Sequence, residues 1–165
     1  MNLVQELKVL LSNVVMFRYK AHGYHWNVEG DDFHAYHDFF NDIYSDAEGS
    51  IDDIAECIRK LGEYAPFKLS EFIELAEVKD ASVPTESLDM AADLLTANKV
   101  VIDSIYRCLK ACEEENAQGV LNFLAGRAEM HEKWNWQLTA TVKSGSKPKS
   151  TKDSVRKIGG ITIIK

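Results

Sequence analysis

Apolar residues recur along this chain with a period close to 3.6, the signature of amphipathic helices. Leu3, Leu7, Leu10, Val14, Phe17 and Ala21 form one stripe and predict a first helix. "NVEGDD" interrupts it, with Gly30 supplying a turn and Asp31 or Asp32 an N-cap. The stripe Phe33, Tyr36, Phe40, Ile43, Ala47, Ile51, Ile54, Ile58 and Leu61 predicts a second helix from about Phe33 to Leu61, stopped by Gly62. Residues 63–86 form a connection punctuated by Pro66 and Pro84, and within it "SEFIELAEV" reads as a short helix capped by Ser70. A third long helix is predicted from about Ser87 to Ala117, with Leu88, Ala91, Leu95, Asn98, Ile102, Ile105 and Leu109 on one side. A fourth runs from about Gln118 to Val142, carrying Leu121, Leu124, Ala128, His131, Trp134 and Leu138, and "SGSKPK" ends it. No strand pattern precedes the last residues, and no internal repeat is present.

Four long helices with one long connection predict an all-α fold. It is a four-helix bundle with a short helix in the crossover between its second and third long helices, the connectivity of ferritin-like bundles. The bundle is expected over residues 1–142, long enough for a full core, with a basic, flexible tail over 143–165. No apolar run approaches the roughly 20 residues of a membrane span, so no membrane contact is expected. The N-terminal stretch is broken by Glu6 and Lys8 and lacks the basic region and cleavage site of a signal peptide. Cys57, Cys108 and Cys112 form no disulfide framework and read as reduced thiols of a cytoplasmic protein. Cys108 and Cys112, four apart, read as small residues at a helix interface rather than as metal ligands.

Charge divides the chain further. Residues 143–165 carry seven Lys and Arg against Asp153 alone, a formal +6, so the remainder carries −13 of the net −7. The tail suits DNA, because repeated cations release counterions from phosphates, whereas the acidic body repels it. The apolar end "IGGITIIK", residues 158–165, instead suits strand addition to the sheet edge of a protein partner. Packing of the tail on its own shell is the third reading.

The histidines raise the question of a metal. Iron-handling bundles commonly use Glu-x-x-His pairs. The residues three before His22, His25, His34, His37 and His131 are Tyr19, His22, Asp31, His34 and Ala128, so the chain holds no such pair. The second helix offers a different set: His37 near its start, Asp52 and Glu56 near its end. Along a helix His37 and Asp52 lie roughly 22 Å apart, too far for one ion. Two such helices crossing antiparallel about a two-fold axis would bring His37 of one subunit to Asp52 and Glu56 of the other, twice per dimer. A short turn brings His25 level with His37. Two imidazoles and two carboxylates suit iron or zinc.

His25-Trp26, then His37, Asp52 and Glu56 in this register, within "YHWNVEG" and "FHAYHDFFNDIYSDAEGSIDDIAECIRKLG", resemble the ferroxidase motif of the Dps family, the DNA-protecting mini-ferritins. "HEKWNWQL" looks like the family's Lys-x-x-Trp signature, and the resemblance spans roughly residues 5–142. It implies a homo-oligomeric, hollow dodecamer with ferroxidase sites at two-fold interfaces. There Fe(II) would be oxidised, preferentially by hydrogen peroxide, and ferric iron stored, with DNA protected and nucleoid association expected. His25, His37, Asp52 and Glu56 are the implied metal-binding and catalytic residues, and Trp26 a wall of the site.

Two positions depart from the family pattern. Asn41 stands where the family usually has Asp, offering a neutral oxygen as a weak ligand. Asn122 stands where an Asp of the entry pore is expected. Asn41 therefore carries the competing expectation: a nonenzymatic shell, or a DNA-binding or docking protein, with a degenerate centre. His22, His34 and His131 read as packing or surface residues, and Trp134 and Trp136 as packing.

Overall fold

The computed structural model describes residues 2–80, 84 and 86–145, with side chains to 143, as five helices. They are α1 (Leu3–Asn27), α2 (Phe33–Lys60), α3 (Leu69–Leu75), α4 (Ser87–Glu114) and α5 (Gln118–Gly145). Among the described residues there is no strand, and no helix is long and apolar enough to cross a membrane. The four long helices form the expected all-α, ferritin-like bundle. α1 packs against α2, α4 and the short α3, while α5 packs against α4.

Local chemistry sets the helix ends. Asn2 caps α1, its side chain accepting from the Gln5 N–H at 3.0 Å, and the Leu3 N–H donates to Glu115 at the end of α4. Two left-handed residues close the other ends: Gly62 (φ 88°) after α2 and Asn116 (φ 56°) after α4. At each, a backbone N–H reaches back five residues, Glu63 to Ile58 and Ala117 to Cys112, satisfying carbonyls that the helix leaves open. Asn116 ends α4 before the expected Ala117. Gly30 (φ 105°) makes the α1–α2 turn, and Asp32 takes the N-cap position of α2 without a side-chain capping bond.

The crossover differs from the expectation in two ways. Lys68, not Ser70, precedes the first residue of α3, which ends at Leu75. Residues 77 and 78 leave the helix because Asn13, fully buried on α1, competes for their backbone. Its Oδ1 accepts the N–H groups of Glu77 and Val78 at 2.7 and 3.1 Å. Arg107 of α4 bridges Glu6 and Glu77, fastening the same segment from the other side.

The buried face of α4 also differs from the expected stripe. Of that stripe, Ala91, Asn98 and Ile105 are buried, whereas Leu88, Leu95, Ile102 and Leu109 flank the core, half-buried; Leu94, Ala97, Val101, Ser104, Cys108 and Ala111 complete it. The buried face mixes large side chains, Met90, Leu94, Val101 and Ile105, with the smaller Ala97, Ser104 and Cys108. Cys57, Cys108 and Cys112 are buried free thiols, and burial pushes the Cys112 thiol up to about 11.

A buried polar chain joins α2, α5 and α4. Arg127 donates twice to Asp46, at 3.0 and 2.7 Å, and Trp134 Nε1 donates to Asp46 at 3.1 Å. His131, fully buried, exchanges bonds with Asn98: Nδ1–H to Oδ1 at 2.7 Å, and Nδ2–H to the His131 carbonyl at 2.8 Å. Burial alone would raise the Asp46 carboxyl; the bonds from Arg127 and Trp134 hold it below its usual range. Burial, with the Arg127 charge, pushes His131 down to about 3.

Both shifts act in one direction on stability. The unfolded chain takes up a proton at His131 near pH 6.5, and the folded chain not until about 3. The stabilisation is complete above the unfolded value and is lost as pH falls between the two, by up to about 1.4 kcal/mol per pH unit. Denaturant unfolding at fixed protein concentration should show this slope between pH 6 and 4. His131→Leu should flatten it and cost about 1–3 kcal/mol at neutral pH, by leaving the Asn98 Oδ1 without its donor. An unchanged slope in the variant would refute the assignment to His131.

Candidate metal centre at the α1–α2 junction

The turn at Gly30 folds the end of α1 against the start of α2, bringing His25 and His37 together. Each ring bonds to the other's backbone: His25 Nδ1 to the His37 carbonyl at 2.9 Å, and His37 Nδ1 to the His25 carbonyl at 2.8 Å. A carbonyl oxygen only accepts, so both Nδ1 atoms carry the proton. In the neutral imidazoles both Nε2 atoms then keep a free lone pair, the arrangement by which a backbone partner prepares histidine as a ligand. The two rings stack with centroids 3.7 Å apart, and Phe33 stacks on His37 at 4.8 Å.

Asn41 lies one turn beyond His37, and its Oδ1 accepts the Tyr44 hydroxyl at 3.0 Å. Tyr44 stands edge-on to His25 at 5.3 Å and stacks on His22 at 4.1 Å. His22 also meets Trp26, at 4.1 Å, and its Nδ1 is buried without a hydrogen-bond partner among the described residues. Burial pushes the His22 ring down, with the charges of Arg18 and His25 adding to the shift. Arg18, paired with Glu48, closes this face on the side toward the end of α2. Trp26 borders the cluster and is 62% exposed.

Asp52 and Glu56 are exposed on α2, with Glu56 only 3.4 Å from Lys60. They do not join the histidines in one chain. Among the described residues, no three His, Cys, Asp or Glu side chains converge on a point that could hold a metal. The structure thus pairs His25 with His37, sets Asn41 beside them, and leaves the two carboxylates on the far half of the helix. Asn122 is exposed near the start of α5. His34 is exposed, and His131 belongs to the buried chain joining α4 and α5.

His22 packs, as expected, against Trp26 and Tyr44, and Tyr44 is the neighbour the sequence reading did not name. Both had a signal in their spacing. His22 precedes His25 by three residues and Trp26 by four, and Tyr44 follows His37 by seven, so each shares its neighbour's helix face.

A ferritin-like domain profile matches residues 4–147. The DNA protection during starvation protein of Helicobacter pylori is 29% identical over 81% of this chain and 94% of its own length. Its counterpart in Brevibacillus brevis is 25% identical over 85% of this chain and 97% of its own. Among solved structures, the Dps protein of Vibrio cholerae O1, described as a member of a broad superfamily of ferritin-like diiron-carboxylate proteins, superposes with a TM-score of 0.80. It is 26% identical, with 84% of this chain and 87% of that one covered. Dps from Listeria monocytogenes, 23% identical with a TM-score of 0.82 over 87% of this chain and 94% of its own, shares the fold. The profile, these relatives and the bundle agree: the chain belongs to the ferritin-like family, within its Dps group.

Proposed function

We propose that this chain is the subunit of a hollow dodecamer that takes up Fe(II), oxidises it at sites shared between two subunits, and stores the ferric product. The carrying observation is the reciprocal His25–His37 pair, which leaves two Nε2 lone pairs together while Asp52 and Glu56 stand apart on the same helix. A second chain antiparallel across a two-fold axis would complete the set twice. Iron is the substrate, and the diiron-carboxylate description of the Vibrio cholerae relative supports it over zinc.

The residues divide the work by charge. The neutral imidazoles hold Fe(II) without paying for its loss, and Asp52 and Glu56 offset the extra positive charge that appears on oxidation. Hydrogen peroxide is the proposed oxidant: two Fe(II) give two electrons, and with two protons the peroxide leaves as two waters. Removing peroxide and Fe(II) together protects DNA, in keeping with the names of the Helicobacter and Brevibacillus relatives. The working location is the cytoplasm, beside the nucleoid.

One observation favours the rival reading, a nonenzymatic shell. Asn41 carries no charge and its oxygen already accepts from Tyr44, so the position beside His37 holds a cation weakly. The tail readings concern residues 143–165, of which 146–165 lie outside the described residues. They stand on charge: a +6 tail on a −13 body.

Light scattering should return twelve times the 18.6 kDa subunit mass. A stable monomer with undiminished iron affinity would disprove the shared site. Anaerobic Fe(II) titration followed by peroxide, monitored by absorbance, tests the ligands. Asp52→Asn and His25→Ala should each weaken uptake by at least about tenfold, and His34→Ala should not; equal uptake in all three contradicts the assignment.

In the same assay Asn41→Asp should raise the oxidation rate by adding a carboxylate beside His37. No change would remove position 41 from the metal's surroundings.

Deleting residues 143–165 should abolish DNA retardation on a gel and spare iron oxidation. Full-length binding should fall by roughly 0.9 log units per phosphate contact for each log unit of salt. A deletion confined to 158–165 that preserves retardation assigns it to the basic segment. Failure of the full chain to retard DNA at low salt rules the DNA reading out.

A further inference from the structure

A groove of about 550 Å³ runs between the start of α2 and the end of α5. Tyr36 and Phe39 form one wall, and Trp136, Gln137 and Thr141 the other. None of these belongs to the candidate metal centre. Two features set the groove apart from ordinary surface. Trp136 stands 67% exposed, an apolar area that water solvates poorly. Beside it, Gln137 Oε1 is buried with no hydrogen-bond partner among the described residues, although a buried acceptor without a donor is costly. The groove therefore presents apolar walls and one acceptor awaiting an N–H, which together suit a peptide.

We propose that this groove binds the chain's own segment Ile158–Ile164. Its sequence, "IGGITII", combines apolar β-branched side chains with backbone N–H groups. In an extended peptide Ile161 and Ile163 project to one side, toward the aromatic walls, and a neighbouring N–H can serve Gln137. Length permits the return. Twelve residues separate Gly145 from Ile158, and the connecting stretch spans at most about 45 Å, while Gly145 lies only about 6 Å along α5 from Thr141. Charge favours the path as well. Residues 143–157 hold six Lys and Arg against Asp153, and Asp32 and Asp38 are exposed at the same end of α2 as the groove. Seating the apolar end would tie the basic stretch down at both ends, as a loop that presents its cations while hiding its isoleucines.

Fluorescence of the full-length protein tests this in a Trp26→Phe background, where the other tryptophan, Trp134, is buried. Truncation after Lys157 should shift the emission to longer wavelength and increase acrylamide quenching. Adding Trp136→Phe should remove that response. The double substitution Ile161→Asp with Ile163→Asp should reproduce the truncation, and a synthetic IGGITIIK peptide added to the truncated protein should reverse it. If Trp136 is equally open to acrylamide with and without residues 158–165, the segment does not occupy the groove. If Trp136 is equally shielded in both, another surface of a second copy covers it. Either result overturns the proposal.

Discussion

Two histidines, each donating to the other's backbone carbonyl, fix how α1 meets α2. The bonds at 2.9 and 2.8 Å tie the last turn of one helix to the first turns of the next, across a turn made at Gly30. The same protons that serve as structural donors decide the chemistry. A proton held at Nδ1 is absent from Nε2 of the neutral ring, so the bonds that fasten the helices also leave both Nε2 lone pairs open. Shifting either helix by one turn would break both bonds and separate the lone pairs.

The rest of the bundle keeps that junction in place by polar contacts across helices, from the fully buried Asn13, Asn98 and His131 to the exposed Glu77. Asp46, Arg127, Trp134, His131 and Asn98 link α2 to α5 and α5 to α4. Asn13, Glu77, Arg107 and Glu6 link α1 to the crossover and to α4. Buried polar groups add little to stability over well-packed apolar ones, but leaving one partner unpaired is costly. Such networks therefore select one packing among the several that a bundle of apolar stripes would tolerate. They also make acid the natural stress on this fold, because His131 and Asp46 both resist protonation while folded.

The two carboxylates of the proposed metal centre follow the opposite logic. Asp52 and Glu56 are exposed in a single chain, with Lys60 3.4 Å from Glu56. A carboxylate meant for a cation at a subunit boundary stays hydrated until the boundary forms, which avoids the cost of burying an unpaired charge in the free subunit. Completion of the centre is thereby coupled to assembly in the proposed dimer.

Apolar periodicity determined the four long helices, and the single long connection determined the order of the bundle, because a 3.6-residue stripe has to be buried whatever covers it. The register of His25, His37, Asp52 and Glu56 was also legible, since helical rise converts spacing directly into distance. Tertiary structure decided what pattern alone leaves open. It widened the buried face of α4 beyond Ala91, Asn98 and Ile105 to take in Leu94, Ala97, Val101, Ser104 and Cys108, because α1 and α5 both pack on this helix. It ended α3 at Leu75, because Asn13, more than sixty residues away in sequence, takes the backbone N–H groups of residues 77 and 78. It buried His131 against Asn98 and grouped His22 with Tyr44. Each of these depends on a partner from another helix, and spacing within one helix carries no information about which partner that will be.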